Sequence, residues 1–165
     1  MKVIDNYLPE QYMDELISII CSDEFQAWSF CPRVASGDEK ISNNNYYFIH
    51  KIYQDYSPMS FLWGKLEPFV KELAPDAVIR ARVLMYSNVG EFIEHEPHTD
   101  FPYSHTAALL YLNTNNGYTG FLDGTKVESK RNRLLLFDGS VPHHSTTCTD
   151  EQSRYVLSMN YLRQE

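Results

Sequence analysis

"IRARVLMYSNVGEFIEHEPHTDFPYSHTAALLYLN", residues 79–113, decides the fold. Its ends, "IRARVLMY" (79–86) and "TAALLYLN" (106–113), are short runs of β-branched, aliphatic and aromatic residues, each of strand length. Between them lies a polar stretch, "HEPHTDFPYSH" (95–105), which holds three of the six histidines in the chain. Downstream the texture repeats in "LLLF" (134–137) and "RYVLSMNY" (154–161), with hairpin-type turn signals "NNG" at 115–117 and "DG" at 123–124 and a further "DG" at 138–139. Short strands punctuated by turns predict an antiparallel sandwich or jelly roll.

Upstream the periodicity changes to that of helices. In "LPEQYMDELISII" (8–20), Pro9 suits a first helical turn, and Tyr12, Leu16, Ile17 and Ile20 fall on one stripe. "SPMSFLWGKLEPFVKELAP" (57–75) predicts a second helix, with Ser57 as its cap and Pro58 at its first position. Leu62, Leu66, Phe69, Val70 and Leu73 form its apolar face, Pro68 predicts a kink or a later start, and Pro75 ends it. Between the helices, "CPRVASGDEKISNNNYYFIHKIYQDYS" (31–57) begins loop-like and then offers a strand from Tyr46 to Ile52. The expected class is α+β and mainly β: one domain over 1–165, helical over about 1–75, with a β core over about 77–163.

Composition narrows the function. A formal charge of −8 argues against coating a phosphate backbone, which needs a Lys/Arg surplus along one face. The three cysteines, Cys21, Cys31 and Cys148, form no C-x-x-C pair and suit a reducing compartment. The start "MKVIDNYLPEQY" lacks the apolar run of a signal peptide, and no stretch approaches the roughly 20 apolar residues that cross a bilayer, so a soluble cytoplasmic protein is expected.

The polar stretch carries the chemistry. Side chains two apart on extended backbone look the same way, so His98 and Asp100 share a face and Thr99 does not. An imidazole and a carboxylate are too few for a firm cation site. A third ligand has to come from His143 or His144, which follow "RLLLFDG". Two histidines and a carboxylate with open positions form the facial set of non-haem Fe(II) oxygenases, and zinc accepts the same ligands. Arg154, eleven residues after His143, adds a guanidinium able to grip a carboxylate with two parallel hydrogen bonds. Within the otherwise apolar "YVLSMNY" such a charge is costly to bury without an anion.

His98, Asp100, His143 and Arg154, with "VLMYSNVGEF", "ALLYLN", "TNNGYTGFLDGTKVES", "NRLLLFDGSVPHHSTTCTD" and the opening "VIDNYLP", resemble the iron(II)/2-oxoglutarate-dependent dioxygenases. The resemblance is to their prolyl-hydroxylase-like branch, nearest to small members encoded by tailed bacteriophages. It covers nearly the whole chain and is most specific from Met85 to Tyr161. It implies a double-stranded β-helix (jelly roll) flanked by N-terminal helices, with His98, Asp100 and His143 as iron ligands. Arg154 would bind the distal carboxylate of 2-oxoglutarate, Tyr111 would assist it, and Tyr86 would face the cosubstrate. His143 directly follows "FDGSVP" as the family's distal histidine does, with His144 as the fallback; His95 and His105 match no ligand and read as supporting or entrance residues.

The resemblance further implies Fe(II), 2-oxoglutarate and O2 as cofactor and cosubstrates, with ascorbate as an auxiliary reductant. The expected substrate is a peptidyl residue, proline first, and next a free amino acid or other small molecule, with neither nucleic acid nor membrane as partner. "NNNYYFIH" (43–50) is a candidate substrate-facing wall. A phage-encoded chain would work in the host cytoplasm. Two rival readings stand beside this one, a non-catalytic jelly-roll binding module and a zinc hydrolase using the same ligands.

Overall fold

The computed structural model describes residues 1–22, 24–25, 27–35 and 44–163. In chain order the elements are β1 (Lys2–Ile4), α1 (Glu10–Ile20), β2 (Ser29–Cys31), β3 (Tyr47–Gln54), β4 (Ser57–Pro58), α2 (Leu62–Lys65) and α3 (Glu67–Leu73). There follow β5 (Ala77–Ser87), β6 (Thr106–Tyr111), β7 (Tyr118–Phe121), β8 (Lys126–Glu128), β9 (Arg133–Asp138), β10 (His143–Ser145) and β11 (Ser153–Leu162). Eight strands form the larger sheet, in the order β1-β9-β6-β11-β5-β3-β2 with β4 paired to β3; β10-β7-β8 form the smaller one. All the pairings are antiparallel, and the fold is a jelly roll, mainly β, with the helices packed outside the larger sheet.

Strand alternation divides the larger sheet into two chemistries. On β11, Leu157, Met159 and Tyr161 join Ala81 and Val83 of β5 and Ala108 and Leu110 of β6 in the core under the helices. Met13, Leu16 and Ile20 of α1 and Phe69 and Leu73 of α3 close that core from above, and full burial of each large side chain contributes roughly 1.5–3 kcal/mol. The opposite face turns toward the smaller sheet and carries Leu84, Tyr86, Leu109, Tyr111 and Val156 in a second core with Phe121 and Val127. Arg154 and Ser158 of β11 and Arg82 of β5 share this inner face and line a cavity there. The candidate site residues therefore sit between two sheets.

The strand expected at Tyr46 to Ile52 is observed one residue later and runs on to Gln54. The second helix differs more. Ser57 and Pro58 pair with Gln54 and Tyr53 across a two-residue turn in which Asp55 (φ 52) and Tyr56 (φ 61) are both left-handed. That hairpin removes Ser57 from the helix cap, and the Ser60 hydroxyl takes its place by accepting the Leu62 N–H at 3.1 Å. The helix then breaks at Leu66 and restarts at Glu67, so that Pro68 falls in a first turn, where its missing N–H costs nothing.

The turn at 123–124 joins β7 to β8 as a hairpin, with Gly124 at φ 87. "NNG" does not form a hairpin. β6 lies in the larger sheet and β7 in the smaller, so residues 112–117 carry the chain from one layer to the other. Gly117 is required there because a Cβ would lie 2.7 Å from Arg154 Cδ and 2.8 Å from the Thr147 carbonyl oxygen.

Candidate metal and anion site

His98 and Asp100 lie on an extended segment that pairs with residues 139–143. The His98 N–H donates to the His143 carbonyl and the His143 N–H to that of His98, both at 2.9 Å, and the Asp100 N–H donates to the Gly139 carbonyl at 2.9 Å. This ladder puts His98 and Asp100 on the side that faces His143, while Thr99 is exposed. One nitrogen of each histidine and one oxygen of Asp100 all lie within 4.8 Å of one another. Among the described residues no other histidine, cysteine or carboxylate joins this group.

His144 lines the same cavity but is outside this group. Its ring packs over Gly120, where a Cβ would come within 2.4 Å of two ring atoms, and meets the Tyr118 ring edge-on at 6.2 Å. The neighbouring strand residue His143 points its ring to Asp100, with Nε2 4.0 Å from Asp100 Oδ2.

The donors are prepared for a cation. His143 Nδ1 lies 2.9 Å from the Val141 carbonyl. A carbonyl only accepts, so Nδ1 carries the proton and Nε2 keeps its lone pair toward the cluster. Burial, with His143 beside it, pushes the His98 imidazole down to about 4, and burial likewise lowers His143. Burial raises Asp100, but Arg80, Arg82 and His143 outweigh it and hold the carboxyl below its ordinary value. At neutral pH the set is two neutral imidazoles and one carboxylate. It fits a divalent cation with nitrogen and oxygen preferences, Fe(II) or Zn(II) among them, with coordination positions left over.

Asp100 is oriented by groups that the sequence reading passed over. Arg80 Nη2 donates to Oδ1 at 2.7 Å, Asn160 Nδ2 donates to Oδ2 at 2.8 Å, and Arg82 Nη2 stands 3.6 Å from Oδ1. Asn160 also lies 3.2 Å from His105 Nε2, and His105 Nδ1 faces the Tyr103 carbonyl at 2.8 Å. His105 is thus a support two steps behind the cluster. His95 stacks on Tyr86 at 5.5 Å and contacts Ser145 Oγ through Nδ1 at 2.8 Å.

Gly139 makes the His105 support possible, since a Cβ there would lie 2.2 Å from His105 Nε2. Gly139→Ala should displace the ring, loosen Asn160 and Asp100, and weaken divalent metal binding about 10- to 100-fold. Titration with Mn(II), followed by loss of the free-ion EPR signal, checks this. Unchanged affinity would remove His105 from the support.

Arg154 occupies the same cavity. It is 1% exposed, and its Nε donates to Ser129 Oγ at 2.6 Å and its Nη2 to Thr119 Oγ1 at 3.2 Å. Among the described residues no carboxylate forms an ion pair with it. Tyr86 and Tyr111 present their rings to the guanidinium, 5.3 and 5.5 Å from the central carbon. Tyr86 also lines the cavity and stacks on Tyr47 at 5.6 Å; Tyr111 is fully buried behind Thr119, to which its hydroxyl donates at 2.8 Å. A buried cation held by hydroxyls and aromatic faces, without a protein anion, fits the carboxylate of a ligand. Of the "NNNYYFIH" stretch only Tyr47 lines the cavity, and Asn43 lies outside the described residues.

No family model matches the chain, and no curated protein matches it. Solved structures do. A prolyl hydroxylase from Trichoplax adhaerens, in complex with a hypoxia inducible factor peptide fragment, superposes with TM-score 0.65 at 17% identity, covering 98% of this chain and 82% of that one. An oxidoreductase of the 2OG-Fe(II) oxygenase family from Burkholderia pseudomallei gives TM-score 0.67 at 9% identity over 99% and 85%. A Pseudomonas putida prolyl-4-hydroxylase gives 0.62 at 14% identity over 98% and 92%. At these identities the likeness is one of fold.

Proposed function

We propose that this chain is an iron(II)- and 2-oxoglutarate-dependent dioxygenase that hydroxylates a C–H bond. One observation carries the reading: the His98, Asp100 and His143 cluster and the anion-free Arg154 open on a single cavity, with Leu84, Leu109 and Val156 as its apolar wall. A zinc hydrolase would use the same cluster but has no use for 2-oxoglutarate, so binding of that oxo acid separates the two readings.

His98, Asp100 and His143 would hold the iron, and Arg154 with the Thr119 hydroxyl would bind the far carboxylate of the oxo acid. Tyr111 keeps Thr119 in place, and Tyr86 covers the guanidinium. Iron with 2-oxoglutarate and O2 would supply the oxidising power, the oxo acid leaving as succinate and CO2 while one oxygen atom becomes the new hydroxyl. The chain's own part is to orient the ligands, clamp the anion and keep the site dry.

The motifs from Met85 to Tyr161 favour the prolyl-hydroxylase-like branch, near small bacteriophage members, which would put the protein in a host cytoplasm. No helix among the described residues is long and apolar enough to cross a membrane. A peptidyl residue, proline first, heads the substrate classes, supported by the peptide-bound Trichoplax neighbour; a small molecule follows. The charge of −8 weighs against nucleic acid.

Succinate formation from 2-oxoglutarate with Fe(II), ascorbate and air tests the reading. Succinate and CO2 in equal amounts are expected; absence of both turnover and 2-oxoglutarate binding overturns it. Binding without turnover under any substrate points to the non-catalytic module. In the same assay His143→Ala should lower turnover at least 1000-fold, as loss of an iron ligand, whereas His144→Ala should stay within about tenfold of the parent. The reverse order would exchange their roles.

A further inference from the structure

The cavity carries more fixed positive charge than iron and 2-oxoglutarate account for. Arg82 and Arg154 both line it, and Asp100 is the only acidic residue among the described side chains on its wall. A divalent cation and a dianionic oxo acid cancel each other, so their arrival leaves this surplus standing. Arg154 is assigned to the oxo acid and Arg80 is spent on Asp100 and Asn160, with Nε 3.2 Å from Asn160 Oδ1. Arg82 is left over.

Its surroundings make this more than a solvated charge. Arg82 lies on an interior strand, opposite Ser158 on one side and Lys51 on the other, and its side chain is only 18% exposed. Among the described residues the Nε is buried without a hydrogen-bond partner. Its Nη2 stands 3.6 Å from Asp100 Oδ1, longer than a hydrogen bond, whereas Arg80 and Asn160 each donate to one oxygen of that carboxylate. A buried guanidinium donor without an acceptor costs stability unless a ligand supplies one. Tyr47 and Ser158 line the same cavity as Arg82.

We infer that Arg82 binds a carboxylate of the substrate, which sets a free organic acid or a chain-terminal residue ahead of the peptide-interior residue placed first above. This rests on the oxygenase reading and names the substrate class of that same site. One planar fork suits one carboxylate. Because Arg82 stands 3.6 Å from Asp100, an anion bound to it would lie beside the candidate metal ligands, and the C–H bond attacked would be one near that carboxylate. A residue in the middle of a peptide offers no such group; a free acid or a terminal carboxylate does.

The probes are matched acid and amide pairs, N-acetyl-L-proline with N-acetyl-L-prolinamide and N-acetyl-L-valine with N-acetyl-L-valinamide. Proton line broadening by the protein loaded with Mn(II) and 2-oxoglutarate reads their approach to the metal. The acids are expected to bind at least tenfold more tightly than the amides, and Arg82→Met to erase that preference while Arg82→Lys keeps part of it. Mn(II) and 2-oxoglutarate dissociation constants of each variant, with far-UV circular dichroism, check that the site still assembles. Equal broadening by acids and amides, a preference that survives Arg82→Met, or loss of metal binding in Arg82→Met would overturn the proposal, the last making Arg82 a positioning residue for Asp100. If the parent protein takes up neither Mn(II) nor 2-oxoglutarate, the oxygenase reading falls by itself. Saturation-transfer difference NMR of the same pairs on metal-free protein, with Arg154→Met as the control for the other guanidinium, then decides Arg82: an acid preference lost in Arg82→Met supports it, and an equal or surviving signal overturns it.

Discussion

Asp100→Ala is expected to abolish iron-dependent turnover and also to destabilise the metal-free protein by about 3 kcal/mol, the usual effect of removing one partner of a buried ion pair. The carboxylate is a ligand candidate and at the same time the counter-charge for Arg80 at 2.7 Å and Arg82 at 3.6 Å. Removing it leaves two guanidiniums beside each other with no carboxylate between them. His98→Ala makes the informative contrast. Its imidazole is neutral at pH 7, being pushed down to about 4 by burial with His143 beside it, and among the described residues no ion pair involves it. It should cost about 1 kcal/mol of stability, and iron binding should be lost as completely as in Asp100→Ala. Denaturant unfolding of the metal-free proteins, set beside iron content after anaerobic reconstitution, separates the two effects. Equal stability losses in both variants would mean that Asp100 is not the counter-charge described here.

How far the sequence could be read follows from where each signal sits. The strands "IRARVLMY", "TAALLYLN" and "RYVLSMNY" were legible because their β-branched and aromatic runs have strand length and turn residues bound them. The H-x-D pair was legible through the two-residue alternation of extended backbone, and the structure brings both side chains to His143. The second helix was misread at its start because Ser-Pro suits a helix cap and a strand after a tight turn equally well. The choice was made by the left-handed pair Asp55 and Tyr56, which carry no glycine to announce it. "NNG" was misread as a hairpin for a related reason: turn residues report that the chain bends, not which sheet receives it.

The supports of Asp100 were missed although one signal was available. Arg80 and Arg82 alternate in "IRAR" on the face that continues as Leu84 and Tyr86, and arginines on an interior strand need anions as Arg154 does. Asn160 gave no such warning. A lone amide near the end of an apolar strand becomes meaningful only when the neighbouring strands are in place, with Arg80 directly opposite on β5.

Arg154→Met is expected to raise the 2-oxoglutarate concentration for half-maximal turnover about 100-fold, in keeping with the loss of one member of a buried, hydrogen-bonded charge pair. The sign of its stability effect is the sharper test. Without ligand, the guanidinium has, among the described residues, the hydroxyls of Ser129 and Thr119 and two aromatic faces as partners, so an apolar side chain of similar length should leave the melting temperature unchanged or higher. With saturating 2-oxoglutarate and Mn(II), the parent should gain stability by mass action while the variant gains much less. The melting curves of the two proteins should therefore converge or cross in the absence of ligand and separate in its presence. Arg154→Lys keeps the charge but loses the planar fork, and should fall between them. A methionine variant that melts early both with and without the oxo acid would make Arg154 part of the packing against Gly117, where only hydrogen fits beside its Cδ, rather than the clamp for a ligand. Unchanged 2-oxoglutarate dependence would remove the clamp and, with it, the reason to prefer this cosubstrate over a simple metal-bound water.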